Sequence, residues 1–182
     1  MSLSAHKIGG PKGAGALYTA PALRNLRPLL PGGGQEGGLR SGTEATAQIA
    51  GFARAVALRQ ENLAEKLRHM ADIKAYCRER LLSIPGVVPV GQGEAPHILA
   101  VSLEGYPSAN IVTDLGAKGI CISAGSACHR GKASHVVSAL HLDKKTAAGV
   151  IRVSFGPETT RADIDGLYQA LLDHKNQRFP ML

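Results

Sequence analysis

Apolar residues recur every three, four or seven positions from about Glu44 to Ser83. This spacing places them on one stripe of an α-helix. Thr43 or Thr46 is a candidate N-cap, and Pro85 stands just after the last periodic residue. An unbroken helix of this length would extend about 60 Å, more than most globular domains are wide. The pattern therefore predicts a helix that connects two domains or bends. The stripe consists of Ile49, Phe52, Val56, Leu63, Leu67, Met70, Ile73 and Cys77.

The rest of the chain alternates short strand-like runs with helical patterns. The runs predict strands over 87–90, 97–103, 120–123 and 150–155, and helices over 108–117, 134–140 and 160–175. Thr160 and Asp163 have the spacing of a capping box at the start of the last helix. A few strands interleaved with helices predict an α+β layer, in which a small sheet carries helices on one face.

Composition indicates a globular protein and argues against several function classes. Hydrophobic residues make up 44% of the 182 residues, yet no stretch approaches the length of a transmembrane helix. The N-terminus has no apolar segment of the kind that a secretory signal needs. The net charge is +7, but the basic residues are scattered. Aromatic residues make up only 4% of the chain and there is no Trp, so few side chains are available to stack on nucleic-acid bases. We expect neither a membrane nor a nucleic acid as partner.

The three cysteines are Cys77, Cys121 and Cys128. Their number is odd and no CxxC pair occurs, so the sequence predicts neither a disulfide framework nor a metal site. A reducing, cytoplasmic setting is the default for such a chain. Cys77 lies on the helical stripe and Cys121 lies in a predicted strand, so both are expected in the core.

Lys7 stands in a short segment of unusual chemistry, with Ser4 and His6 before it and a Gly-rich turn after it. Three interpretations remain open. The segment could bind phosphate through backbone N–H groups and Ser4, Lys7 could form a Schiff base, or Lys7 could be an exposed loop charge. The Walker pattern is not met.

A second Gly-rich stretch covers residues 31–43 and carries Arg40, Ser41 and Thr43 as candidate phosphate donors. The alternative is a flexible linker. A simple spacer does not need Gln35, Glu36 or Arg40. These residues favour a functional loop, but both alternatives stay open.

Cys128 lies among Gly, Ser and Ala residues and is followed by His129, Arg130 and Lys132. Positive neighbours lower the pKa of a thiol and raise the fraction of thiolate. The pattern is compatible with a nucleophile on a movable loop, and equally with an inert exposed thiol.

Arg152 interrupts an apolar strand pattern over residues 150–156. An unpaired buried charge is costly, so this guanidinium needs a carboxylate, either from the protein or from a ligand. A salt bridge on an edge strand is the alternative.

The order of these motifs resembles one enzyme family. SAHKIGGPKGAGALY, GGGQEGGLRSGT, SAGSACHRGKASHV and IRVSFG together resemble the cysteine desulfurases, which are pyridoxal-phosphate enzymes of the class V aminotransferase family with an aspartate-aminotransferase-like fold (fold type I). The resemblance runs from Ser4 to about Leu172 and matches the subgroup with a GSAC-type cysteine loop. It implies the C-terminal part of such an enzyme. Residues 1–50 would be the tail of the large domain, and residues 51–182 a long connecting helix with a small α+β domain.

The resemblance also implies roles for residues around the cofactor. Lys7 would be the Schiff-base lysine, whereas Lys12 would not. Ser4 and His6 would contact the phosphate of pyridoxal phosphate. Thr43 would reach the phosphate bound to the other subunit of a homodimer.

Cys128 and Arg152 receive the remaining roles that the resemblance implies. Arg152 would bind the carboxylate of L-cysteine, and Cys128 would take its sulfur as a persulfide, releasing L-alanine. The sulfur would pass to an acceptor protein, either an iron–sulfur scaffold or a sulfur carrier. Selenocysteine lyase, another class V enzyme, or a non-catalytic dimerisation or docking domain remain as rival interpretations.

Two departures from the family pattern matter. The family's N-terminal half, which supplies the groups around the pyridine ring, has no counterpart in these 182 residues. We therefore expect weak binding of pyridoxal phosphate and no turnover of cysteine by this chain alone. The stretch after Cys128 is also shorter than the common form, which affects the reach of the loop.

Overall fold

The computed structural model describes residues 1–23, 26–124 and 135–181. The chain forms two compact units, Met1–Leu63 and Ala64–Leu182. In the described ranges no helix is long and apolar enough to cross a membrane. The division at residue 50, which concerns the domains of longer family members, stays a prediction.

The first unit consists of a small hairpin, short 3-10 helices and one α-helix. Strands β1 (Ser2–Ser4) and β2 (Gly15–Leu17) pair antiparallel, with Ser4 opposite Gly15. The 3-10 helices span Ala5–Ile8, Pro21–Leu23 and Gln35–Gly38, and helix α1 spans Thr46–Gln60. The sequence did not predict the hairpin, because strands of three residues carry almost no periodic signal.

The long helical pattern over 44–83, which was expected to connect two domains or to bend, is interrupted at residues 61–62 and forms the two helices α1 and α2 (Leu63–Leu82). Between the helices Glu61 is extended, with ψ 121°, and Asn62 has φ 52°. Asn adopts this left-handed conformation more readily than most residues, so it ends the helical repeat. The predicted caps are wrong, since Ala45 is the N-cap and its side chain makes no capping bond.

The second unit has a three-stranded antiparallel sheet in the order β3-β4-β5. Its strands are β3 (Val87–Pro89), β4 (Ile98–Leu103) and β5 (Val150–Ser154). Its further helices are α3 (Ser108–Ala117), α4 (His135–Ala139), α5 (Lys144–Ala148) and α6 (Arg161–Gln177). The predicted capping box is confirmed, because the Thr160 hydroxyl accepts from the Asp163 N–H while the Asp163 carboxylate accepts from the Thr160 N–H.

One face of this sheet forms the core with helices α2, α3 and α6. Leu99 pairs with Val153 and Val101 with Ile151, so all four side chains lie on the same face. They pack with Ile73, Cys77, Leu81, Ile111, Leu115, Ile164, Leu167 and Leu171 from the helices. The predicted α+β layer is confirmed. Arg152 alternates with these residues and therefore lies on the other face of the sheet.

The two cysteines that were expected in the core differ in their environment. Cys77 is fully buried, as predicted. Cys121 is exposed, so that prediction is wrong. The segment 120–123 is not a strand, and only Ser123 bridges to Arg152. Ile120 and Ile122 pack against the core, which leaves the side chain between them directed to solvent.

Candidate functional site

Lys7 lies on the 3-10 turn that connects the two strands of the hairpin. Ser4, at the end of β1, precedes this turn, and His6 and Lys7 form its exposed part. Ala5, which lies between Ser4 and His6, is fully buried and anchors the turn. The structure thus brings a hydroxyl, an imidazole and an amine together on one surface segment.

Backbone hydrogen bonds close the loop that carries Lys7. The Ala5 N–H donates to the Ala14 carbonyl at 3.0 Å, and the Gly10 N–H donates to the Ala5 carbonyl at 2.9 Å. Gly9 ends the turn with φ 85°, in the left-handed region that favours glycine. A Cβ on Gly15 would lie 2.7 Å from the Leu3 carbonyl oxygen, so this glycine permits the strand pairing. Local backbone contacts therefore set the position of Lys7.

Helix α1 holds the same loop from one side. Arg59 Nε donates to the Ile8 carbonyl at 3.0 Å, next to Lys7. Gly51 lies two turns earlier on the helix, and a Cβ there would be 3.3 Å from the Pro11 ring. Ala55, between them on the same face, is buried. The small residues let the loop approach the helix, and Arg59 secures it.

Thr43 follows the second Gly-rich loop and is exposed. Ser41 closes this loop by donating its hydroxyl to the Leu30 carbonyl at 3.1 Å, and Gln35 Oε1 accepts from the Gly42 N–H at 3.4 Å. The loop is thus an ordered structure of its own, which disfavours the flexible linker as its description. Within the described ranges no hydrogen bond joins Thr43 to the Lys7 loop.

Arg152 occupies the middle of β5, as predicted. Its N–H donates to the Ser123 carbonyl at 2.7 Å, and its carbonyl accepts from the Ser123 N–H at 3.2 Å. Its side-chain Nε is buried and has no hydrogen-bond partner among the described residues. The same part of the chain provides it with no salt bridge, so the edge-strand ion pair receives no support. A carboxylate ligand would satisfy this donor.

Cys128 and its neighbours His129, Arg130 and Lys132 lie outside the described residues. The two other cysteines can be compared with the predicted roles. Burial raises the pKa of the Cys77 thiol to about 12, so this side chain remains a neutral thiol at physiological pH. That agrees with a core residue and not with a nucleophile.

Sequence reasoning missed Arg59 and the glycine contact at Gly51. A signal was present, because the small residues Gly51 and Ala55 lie one turn apart beside the apolar stripe. Small residues on one helix face commonly mark the close approach of another backbone. Their partner, the loop around Pro11, could not be identified without the fold. The described residues also contain no group of His, Cys, Asp or Glu side chains suited to a metal ion.

The sequence of this chain matches a known family. The sequence profile of Aminotransferase class-V matches residues 1–167. This chain belongs to the class V aminotransferase family. The resemblance that the motifs suggested is thereby confirmed at the level of the family.

Curated relatives of the chain are cysteine desulfurases. The mitochondrial cysteine desulfurase of Candida albicans is 38% identical over 179 residues, which cover 94% of this chain and 36% of that protein. The cysteine desulfurase IscS of Clostridium botulinum is 36% identical over 188 residues, which cover 100% of this chain and 47% of that protein. Both are proteins to which this chain is similar over nearly its full length.

Solved structures share the fold. A NifS-like protein superposes with a TM-score of 0.83 at 31% sequence identity, covering 97% of this chain and 46% of its own. The NifS-like protein of Rickettsia africae gives a TM-score of 0.83 at 28% identity. The predicted fold, a part of an aspartate-aminotransferase-like enzyme, is confirmed. The chain spans less than half the length of these relatives.

Proposed function

We propose that this chain belongs to a pyridoxal-phosphate-dependent cysteine desulfurase, which takes sulfur from L-cysteine and releases L-alanine. The observation that carries the proposal is Lys7, whose exposed side chain stands on a turn closed by backbone bonds. The motifs give this same residue the role of the cofactor lysine. The names of the similar proteins support the same activity.

The residues around Lys7 fit the chemistry of the cofactor. Ser4 and His6 are exposed beside it and offer a hydroxyl and an imidazole to a phosphate, and Lys7 offers an amine to an aldehyde. Thr43 would contact the phosphate of the cofactor bound in the other subunit of a homodimer. When bound, pyridoxal phosphate supplies an electron sink for the substrate Cα.

Lys7 and Arg152 would act directly on L-cysteine. The free amine of Lys7 would move a proton at the substrate Cα. Arg152 would bind the substrate carboxylate, and its unpartnered Nε supports this role because a side-on bidentate guanidinium–carboxylate pair uses that nitrogen.

Cys128 would take the sulfur. Its thiolate attacks the sulfur of the substrate, an S–S bond forms, the C–S bond breaks, and the electron pair stays on the carbon that becomes alanine. The resulting persulfide would pass its sulfur to an acceptor protein, an iron–sulfur scaffold or a sulfur carrier. A cytoplasmic homodimer is part of this proposal.

Borohydride trapping tests the assignment of Lys7. The 182-residue chain is incubated with millimolar pyridoxal phosphate, treated with borohydride and mapped by peptide mass spectrometry. We expect the fixed cofactor on Lys7 at about tenfold the level on Lys12, an exposed lysine of the same loop, with loss of the label in Lys7→Arg. Equal labelling of the two lysines would contradict the assignment.

Turnover is measured separately, in the natural protein, by release of alanine from L-cysteine. Cys128→Ser is expected to abolish the persulfide, and Arg152→Gln to raise the KM for cysteine. The matched substitution Cys121→Ser affects an exposed cysteine and is expected to leave turnover unchanged. Persulfide formation in Cys128→Ser would overturn the proposed role of the thiol.

A further inference from the structure

The second unit contains a cavity of about 330 Å³ that has no role in the proposed reaction. It lies between the beginning of α3 and the chain that follows α6. Tyr106, Pro107, Phe179 and Met181 contribute to its largely apolar wall. Polar side chains also line the cavity, namely Asn110, His174, Gln177 and Arg178. A cavity of this size suits a ligand of a few carbon atoms with one polar group.

The N-terminus of α3 is the first polar feature of this cavity. The N-cap is Pro107, which makes no side-chain capping bond, and the first turn has no acidic residue. The first N–H groups of a helix point out of its end and carry partial positive charge. Asn110, in the same turn, also lines the cavity. This end of the cavity therefore attracts a negatively charged group.

His174 is the second, independent feature. It lines the cavity, its side chain is only 1% exposed, and its Nδ1 lies 2.9 Å from Asp114 Oδ2. Its Nε2 is buried and has no hydrogen-bond partner in the described part of the chain. A buried polar nitrogen without a partner is costly, so a ligand that bonds to it gains affinity.

The charged groups next to the imidazole of His174 are Asp114 and Arg178. Arg178 donates to both carboxylate oxygens of Asp114, at 3.1 and 3.2 Å. These hydrogen bonds and that of His174 hold the pKa of Asp114 below its usual range, so this carboxylate stays charged. Tyr106 approaches the imidazole edge-on, and its hydroxyl donates to backbone carbonyls. The facing groups are thus one carboxylate, one guanidinium and one phenol.

We propose that this cavity binds a small organic carboxylate, whose carboxylate group lies at the N-terminus of α3 and accepts a hydrogen bond from His174 Nε2. In this complex the imidazole donates from both ring nitrogens, from Nε2 to the ligand and from Nδ1 to Asp114. The apolar part of the ligand packs against Tyr106 and Met181. The site is independent of Lys7 and of pyridoxal phosphate.

Hexanoate is the probe, with hexanol as its neutral control. Both are titrated into the ¹⁵N-labelled 182-residue chain, and amide shifts are followed by nuclear magnetic resonance. Hexanol is expected to bind at least about tenfold more weakly than hexanoate, because it does not engage the helix N-terminus.

A matched pair of variants locates the site. Ser108→Asp places a negative charge in the first turn of α3, which suits the helix but repels a bound carboxylate. Ala162→Asp adds the same charge to the first turn of α6, about 25 Å away along that helix. We expect about a tenfold loss of hexanoate affinity in Ser108→Asp and none in Ala162→Asp.

The proposal is overturned if hexanol binds as tightly as hexanoate, or if no saturable binding of hexanoate occurs. Equal affinity of Ser108→Asp and the wild type would also refute it. None of these outcomes depends on cofactor binding, so they leave the proposed desulfurase function unaffected.

Discussion

Gly149 permits the close approach of β5 to the end of β4, and its replacement by alanine should destabilise the second unit strongly. A Cβ at this position would lie 2.7 Å from the Leu103 carbonyl carbon and 2.8 Å from Ser102 Oγ. The obstacle is backbone, which cannot rotate away as a flexible side chain can. The strands would have to separate, and the bond from the Leu103 N–H to the Gly149 carbonyl at 3.2 Å would be lost.

The expected cost combines two effects. Overpacking against a fixed backbone costs about 1–3 kcal/mol. Loss of one buried backbone hydrogen bond adds about 1 kcal/mol. Gly149→Ala should therefore lower the free energy of unfolding by about 2–4 kcal/mol. With a urea dependence of about 2 kcal/mol per molar, the unfolding midpoint falls by about 1–2 M.

Gly166→Ala is the matched control, with the opposite sign. Gly166 lies inside α6, and a Cβ there would meet nothing within 4 Å. Alanine is favoured over glycine in a helix interior by about 0.8–1.0 kcal/mol, so this variant should be more stable than the wild type. The same chemical change is therefore expected to move stability in two directions.

Urea unfolding followed by the near-ultraviolet circular dichroism of tyrosine measures both effects. The signal comes mainly from the second unit, because three of the four tyrosines, Tyr76, Tyr106 and Tyr168, belong to it, the fourth, Tyr18, is exposed, and the chain has no Trp. The reasoning is refuted if Gly149→Ala unfolds at the wild-type midpoint, or if Gly166→Ala unfolds earlier than the wild type.

Three further predictions concern charge, the Lys7 loop and thiols. The hydrogen bonds from Arg178 lower the pKa of Asp114 in the folded state. The charged carboxylate therefore stabilises the fold above the pKa of an unfolded carboxyl group, and this contribution is lost as the pH falls through the folded pKa. The urea midpoint of the wild type should thus fall more below pH 4 than that of Asp114→Asn. Arg59→Ala should raise hydrogen exchange of the Gly10 amide about fivefold, because a bond of about 1 kcal/mol to the loop is removed. In the native chain an iodoacetamide label should reach Cys121 readily and Cys77 only after unfolding.

Each of these has a clear contrary result. Parallel acid profiles of wild type and Asp114→Asn would contradict the role of that carboxylate. Unchanged exchange in Arg59→Ala would show that the hairpin alone holds the loop, and Arg54→Ala, on the same helix, is the control. Equal native labelling of Cys77 and Cys121 would contradict the burial of the former.

The sequence predicted the elements that have strong periodicity. Helices α3 and α6 and strands β4 and β5 lie within a few residues of their predicted bounds, because each carries an apolar face or run that the core requires. The capping box at Thr160 followed from local chemistry alone. The prediction that Cys121 is a core residue in a strand was wrong. A four-residue apolar run does not reveal whether the segment pairs with a strand along its whole length or only at one residue, as Ser123 does.

The sequence predicted the residues with functional chemistry but not the residues that hold them in position. Lys7 and Arg152 stood out because an amine in a Gly-rich turn and a guanidinium in an apolar strand need an explanation. Arg59 did not, since an exposed arginine on a helix is ordinary until its carbonyl partner is known. His174 was likewise unremarkable in sequence, because its burial depends on α3 and on the segment after α6.

The closed hairpin has a consequence for the order of events in folding. Every backbone bond that defines the Lys7 turn joins residues within the first eighteen positions, including the bond from the Tyr18 N–H to the Met1 carbonyl at 2.8 Å. Hairpins of this length close in about 1–10 μs. Arg152 is placed only when β5 meets β4 across the long connection between them, which is a slower, non-local step. The lysine can thus reach its local geometry before the sheet that places the arginine is complete.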